Sequence, residues 1–456
     1  MDHVVGGRKR MPLMDAGTGS AADYAGKAFK GKSLVVRRTD AITPAELAQN
    51  AQDAGASALF VTDDTPGRLL ANFAGSDPGT RPLYIATVNA ADGTRMIEAA
   101  RLGRDAVLTG TQYTPYVYDL TEGYPGAIPA DLTYRPSKRE LAVVNSKFHA
   151  PQEADGGEFR YSITDTFPVG MGIPEKIKLP AERTDYISAG PGRGWHQSVS
   201  SGPGVIEERE GVVRHRGGTR SAVDWFKPVW KPWLGTGLGW GQQRAGNNLE
   251  FNTPGWGDSG PDHTGFGDVW NSNSLTQFTE AYVDGVRVDR KASSGAYARN
   301  VKPTEQDFRV VTDTTFDPEV WHLATKGHSE WTFKSAATPA DRWTYLPMLN
   351  LGFDVDTDLH GDVRAGRRLD LGIFSEYVKG APDTGRITGS TLEVSFDDGA
   401  TWASVALGRV RGKSAAWSGS VRVPNDAQYI AVRASATDDR GGSVKQEIIR
   451  AVGVRK

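Results

Sequence analysis

The chain contains eight histidines (His3, His149, His196, His215, His263, His322, His328 and His360) and no cysteine, which bounds its chemistry. Without cysteine there is no thiol nucleophile, disulfide, zinc–thiolate centre or iron–sulfur cluster. No His-Glu-x-x-His zinc motif and no Gly-x-Ser-x-Gly nucleophile turn occurs. His322 and His328 lie close in sequence but have no third ligand beside them, so packed or surface histidines are the plainer reading. Asp354, Asp356 and Asp358 alternate like the first half of a calcium loop. Calcium needs six or more oxygens, and the helix–loop–helix form needs Gly and Glu where Leu359 and Ala365 stand. A strand followed by an acidic turn is therefore expected there, and no cofactor is expected elsewhere. For glycoside hydrolysis the nominees are Asp258 with Asp262, or Glu207 and Glu208 with Glu210. Their separation, which decides the chemistry, does not follow from spacing.

Trp225, Trp230, Trp233, Trp240, Trp256 and Trp270 crowd a glycine-rich stretch over residues 225–270. Exposed, such rings stack on sugars or clamp extended peptides. Buried, they fill the core of an irregular excursion, and the rarity of large exposed apolar surface favours burial. Ser395-Phe396-Asp397-Asp398-Gly399-Ala400-Thr401-Trp402 fits the S-x-D-x-G-x-T-W pattern of an Asp-box. Ser395, Asp397 and Gly399 make a tight hairpin turn with Trp402 packed beneath, which is a structural signal and not a catalytic one.

The elements that must position these groups are mostly strands. The 456 residues carry 53 Lys+Arg against 55 Asp+Glu, a net charge of −2. That balance argues against a nucleic-acid partner. No apolar run reaches the ~18 residues a membrane helix needs, so no membrane partner is expected. Gly at 54 and Pro at 25 point to many tight turns. The length fits about three domains, and the pattern predicts a mostly β, multi-domain chain.

Residues 1–119 alternate strand and helix. Thr43-Pro44-Ala45-Glu46 reads as a capping box with Pro in the first turn, and Gly55 suits the end of that helix. Apolar runs at 34–36, 58–61 and 83–88 read as strands, residues 91–100 as a second helix, and 106–109 and 116–118 as closing strands. Residues 120–336 read as a β-sandwich whose irregular part is the tryptophan-rich stretch. Asp284-Gly285 marks a two-residue hairpin. Residues 337–456 read as an immunoglobulin- or fibronectin-like sandwich carrying the Asp-box.

Gly31-Lys32-Ser33-Leu34-Val35-Val36-Arg37-Arg38, a helix ending Ala54-Gly55-Ala56, the strand Ala58–Val61, the strand Leu83–Val88 and Asp92-Gly93-Thr94-Arg95 follow one another in order. This stretch resembles a protease-associated (PA) domain. Thr39-Asp40-Ala41 replaces the Gly-Asp-Cys that often follows the Arg pair. The remainder is similar to the C-terminal, non-catalytic region of secreted subtilisin-like serine proteases of actinobacteria. The residues that carry this are Tyr116–Leu120, Gly126–Pro129, Glu330–Phe333, Leu392–Gly399 and Val432–Gly442.

The family's catalytic motifs are missing. Met14-Asp15-Ala16-Gly17-Thr18-Gly19 only echoes the aspartate motif, His360-Gly361-Asp362 is no His-Gly-Thr, and no Gly-Thr-Ser-Met occurs. The resemblance implies an accessory portion without its own catalytic residues, whose partners are the parent's catalytic domain and its protein or peptide substrate. It also implies secretion, with the signal upstream in a longer precursor. The alternative is an extracellular carbohydrate- or cell-wall-binding protein that uses the tryptophans.

Overall fold

Helix starts and parallel strands organise the beginning of the chain. The computed structural model describes residues 6–64, 73, 83–111, 113–124, 126–165, 170, 172, 175–201, 206–236, 241–260, 262–266 and 274–456. It divides into two compact units, Met1–Thr114 and Pro115–Lys456.

The first unit runs β1 (Gly7–Asp15), α1 (Ala21–Tyr24), β2 (Ser33–Arg37), α2 (Pro44–Asp53), β3 (Ala58–Thr62), β4 (Tyr84–Thr87), α3 (Ala90–Arg101) and β5 (Asp105–Gly110). Its sheet has the order β4-β3-β2-β1-β5, with β5 alone antiparallel. The capping box forms as expected: Thr43 accepts from the Glu46 amide, and Glu46 accepts from that of Thr43. Leu47, Ala48 and Ala51 of α2 are buried, and α2 and the short α1 pack on one face of the sheet around Leu34, Val36 and Leu59. Helix α3 covers the other face, with Ile97 against Leu13 and Val35. Gly93 is where α3 closes on β3; a Cβ there would lie 2.2 Å from the Thr62 hydroxyl.

The second unit begins with β6 (Tyr116–Asp119), β7 (Leu141–Phe148), β8 (Ala154–Thr164), β9 (Glu175–Leu179), β10 (Ala181–Ser188) and β11 (Arg193–Ser201). It continues through β12 (Ile206–Arg209), β13 (Arg220–Trp225), β14 (Gln243–Ala245), β15 (Asn248–Asn252), β16 (Thr264–Phe266) and β17 (Leu275–Val283). Next come β18 (Val286–Lys291), β19 (Gly295–Ala298), β20 (Gln306–Phe316), β21 (Lys326–Ser335), β22 (Thr344–Tyr345) and β23 (Leu349–Val355). The chain then forms β24 (Asp362–Arg364), β25 (Arg368–Tyr377), β26 (Ile387–Ser395) and β27 (Ala403–Ser404). It ends with β28 (Gly408–Arg409), β29 (Ala416–Arg422), β30 (Tyr429–Asp438) and β31 (Ser443–Arg455).

A sheet β13-β7-β10-β6 and a sheet β16-β12-β11-β8-β9 share the buried Val144, Ile187 and Trp195. A small sheet β19-β15-β14-β22 lies in the middle of the unit's sequence. A long sheet β18-β17-β20-β21-β31-β30-β26-β27, with β24 beside β31, accompanies β23-β25-β29-β28. The Asp284-Gly285 hairpin joins β17 to β18 with positive φ at both residues, 48° and 81°. A two-residue type I′ turn requires that conformation.

Two expected boundaries move. Residues 116–119, read as closing the first domain, form β6, which pairs in parallel with β10 of the second unit. The break expected between 336 and 337 is absent. Strand β21 pairs with β31, and one hydrophobic core runs from Phe148 through Trp256 and Trp331 to Val452. Strands from both sides of residue 336 therefore belong to one continuous sheet. Strand β1 was not read from the sequence, because only Met11 and Leu13 of its nine residues are buried.

Candidate functional site

The nominated tryptophans are the largest side chains of their stretch, and their burial decides their role. Trp225, Trp230, Trp233 and Trp256 are all at most 2% exposed. Trp230 Nε1 donates to the Phe226 carbonyl at 2.6 Å, and Trp256 Nε1 to that of Glu207 at 3.0 Å. Trp233 meets Phe374 edge-on. None of these four presents a face to a ligand, which corrects their nomination as a binding platform; Trp240 and Trp270 lie outside the described residues. Glycines at 255, 257 and 265 let the backbone approach these rings and their neighbours, where a Cβ would clash.

The acidic triplet does not converge. Asp354 and Asp356 are exposed. Asp358 turns inward to accept from the amides of His360 and Asp362, each at 3.0 Å, and pairs with Arg455 at 2.8 Å. These are the bonds of an acidic turn. At the Asp-box, Asp397 accepts from Ser395 Oγ and Thr401 Oγ1 at 2.6 Å each, and Trp402 is half-buried beneath Arg433.

The nominated carboxylates are re-sorted. Glu207 pairs with Arg209, while Asp262 accepts from Thr236 and faces Lys379. Glu208 and Asp258, taken from different nominated sets, come together with His263. Sequence spacing missed this group because Glu208 is fifty residues from Asp258. Strand β12 alternates buried and half-buried residues, which turns Ile206 and Glu208 inward. Asp258 and His263 sit in the loop between β15 and β16. Asp258 Oδ1 accepts from the Gly260 amide at 2.6 Å and from His263 Nδ1–H at 2.8 Å. The His263 ring stacks on Trp225, centroids 4.3 Å apart and planes within 12°. Glu208 accepts from the amides of Phe226 and Asp258. Lys231, also buried, donates to the Asp258 carbonyl and lies 4.7 Å over the Trp233 ring.

Low polarity and mutual charge set the protonation of this group. Burial opposes charge on His263, yet Asp258 beside it outweighs burial and holds the imidazolium up to about 9. Burial likewise opposes ionisation of Asp258, but His263 and the Gly260 amide hold it below the usual carboxylate range. Glu208 is pushed well up by burial and by the Asp258 charge. Burial brings Lys231 down to about 7 against the pull of both carboxylates, and raises Glu210 to about 7. Asp258 and His263 line a cleft of about 600 Å³ together with Gln197, Glu210, Arg214 and Lys227. Two buried atoms, Asp258 Oδ2 and His263 Nε2, have no hydrogen-bond partner among the described residues.

A second buried charge group lies between β8, β10 and β11. Arg160 pairs with Asp119, Glu158 and Asp185, and Arg183 with Glu158 and Asp185. Gln197 and Ser146 complete its hydrogen bonds. Its paired charges suit a strut rather than a reactive site.

In the first unit, β1, β2 and β3 end side by side at Asp15, Arg37 and Thr62. Open parallel sheets bind partners at such carboxyl ends. Arg37 pairs there with Asp64, and the Arg38 amide donates to the Thr62 carbonyl. The loop after β1 is held by Asp23, which accepts from the amides and hydroxyls of Thr18 and Ser20 at 2.7–3.1 Å. The Thr18 bond first, then those of Ser20, bring its carboxyl down to about 2. The capped α2, the strands on either side of it and the helix α3 stand where the sequence led one to expect them, while β1, which the sequence did not reveal, lies between β2 and β5.

Residues 9–96 match the PA domain. A 95-residue stretch is 34% identical to the minor extracellular protease Vpr of Bacillus subtilis (strain 168), covering 21% of this chain and 11% of that protein. The chain thus spans about a tenth of the relative's length. Among solved structures, an aminopeptidase from Aneurinibacillus sp. strain AM-1 is 26% identical over 24% of this chain and 25% of its own, with a TM-score of 0.21. The zinc aminopeptidase BSAP from Bacillus subtilis is 25% identical over 24% of this chain and 30% of its own, with a TM-score of 0.18. The PA domain accounts for most of the first unit, and the β-rich second unit follows it.

Proposed function

We propose that this chain is a non-catalytic accessory region of a secreted subtilisin-like endopeptidase. Its PA domain docks protein substrate or restricts access to the parent's catalytic cleft, and the second unit is a rigid β platform and spacer. The observation that carries this reading is the match of residues 9–96 to the PA domain together with 34% identity to an extracellular protease over the same kind of length. The burial of four tryptophans supports a spacer in preference to a sugar-binding platform. The partners are the parent's catalytic domain and a protein or peptide substrate.

The test is incubation of the chain with casein, with and without a serine-directed covalent inhibitor, alongside binding of casein to the immobilised chain. The expected result is casein binding without inhibitor-sensitive turnover. Turnover that survives repurification and is blocked by the inhibitor overturns the non-catalytic reading. Absence of casein binding overturns the docking role.

A further inference from the structure

Buried polar atoms are almost always partnered, because leaving one bare in a medium that excludes water costs the full desolvation of that group. Asp258 Oδ2 and His263 Nε2 break that rule together, on two residues that already touch. Both residues are at most 1% exposed. Glu208, equally buried, completes a set in which one ligand atom from each residue lies within 4.8 Å of those of the other two. Ligand atoms about 2.1 Å from a tetrahedral zinc lie about 3.4 Å apart, so the side chains need to close by at most about 1.4 Å. The backbone already makes room for this convergence: a Cβ on Gly260 would lie 2.3 Å from His263 Nδ1 and 2.8 Å from Asp258 Oδ1.

The nearby cation does not satisfy the group. Lys231 Nζ is directed at the Asp258 carbonyl oxygen and leaves the free carboxylate oxygen unpartnered. The cleft that Asp258 and His263 line gives an ion and its remaining water a way in. We infer that Glu208, Asp258 and His263 hold a zinc-class divalent ion that fastens the loop between β15 and β16 to β12. One imidazole and two carboxylates suit zinc and its first-row neighbours, whereas calcium takes oxygen ligands in greater number. The ion would clamp the tryptophan-rich excursion from below, so its primary effect is on stability.

The experiment uses the full chain, stripped with EDTA, dialysed and titrated with zinc or with calcium. Bound metal is counted by elemental analysis, unfolding is followed calorimetrically, and the zinc shell is read by X-ray absorption. One zinc per chain, a Tm rise of a few degrees for the second unit, and a shell with one imidazole are expected. Asp258→Asn and His263→Gln, checked for folding by circular dichroism, lose the bound zinc and the Tm rise. No uptake by the wild-type chain overturns the inference. So does uptake unchanged in both folded variants, a shell with two or more imidazoles, or stabilisation by calcium and not by zinc. If the variants do not fold, the wild-type count and shell still decide.

Discussion

The indole N–H of Trp331 donates to the carbonyl of Leu349 across 3.0 Å. Trp331 lies on β21 and Leu349 opens β23, so this bond spans the place where the chain looked divisible. Trp331 is fully buried, and its strand passes its ladder directly to β31 near the C-terminus. The second unit is thus held by non-local pairing.

Ending the chain at residue 336 is expected to abolish cooperative folding of residues 115–336. Strand β21 would lose β31, and Trp331 would face water. Differential scanning calorimetry of that shortened chain should lack the transition of the second unit. A sharp transition near the full-length Tm would restore the three-domain division.

Trp331→Ala should destabilise the second unit by about 3–5 kcal/mol, the range for removing a buried aromatic. Chemical denaturation followed by far-ultraviolet circular dichroism measures it. A loss below about 1 kcal/mol would mean that the surrounding core collapses into the space.

The division was illegible because strand patterning is local. Patterning within a few residues cannot show that residues 326–335 and 443–455 pair across more than a hundred positions. The first unit was easier to read for the same reason: Thr43, Pro44, Glu46 and Gly55 fix α2 within a dozen residues. The Asp-box, whose bonds link residues no more than four apart, was also legible. Glu208, Asp258 and His263 were not, since their meeting depends on how β12 docks beneath a long loop. Tryptophan spacing alone could not tell a platform from a core; the hydrogen bonds of Trp230 and Trp256 to backbone carbonyls decide it.

Trp256→Ala provides a matching test of that burial. Its cost should again be about 3–5 kcal/mol. Intrinsic fluorescence of the wild-type chain should be unchanged by soluble oligosaccharides of glucose, xylose or N-acetylglucosamine. Saturable quenching by any of them would bring back a sugar-binding role.

In the first unit, Asp23→Asn should lower the Tm and make the unit's stability less sensitive to acid. The Asp23 carboxyl is brought down to about 2 by Thr18 and Ser20, against 3.8 without them. A carboxylate with a depressed pKa adds stability above pH ~4 that drains away as pH falls toward 2. The variant lacks that contribution, so its stability curve and that of the wild type should converge at low pH. Parallel curves from pH 7 to pH 2 would show that Asp23 does not anchor the loop after β1.

His196 gives the opposite protonation case. It is 2% exposed on β11, packed against the Tyr161 ring at 4.9 Å, with Nδ1 lacking a partner among the described residues. Burial, then Arg209, push its pKa from 6.5 down to about 4. Between those values the unfolded chain binds a proton that the folded one refuses, so stability falls as pH drops from 6.5 to 4. The full effect of such a shift is about 3 kcal/mol. His196→Gln cannot titrate, and the difference between its unfolding free energy and that of the wild type should narrow over that interval and stay constant above pH 7. The measurement is urea denaturation at half-unit pH steps. A difference that does not change with pH would mean that His196 takes up its proton as readily in the folded chain as in the unfolded one.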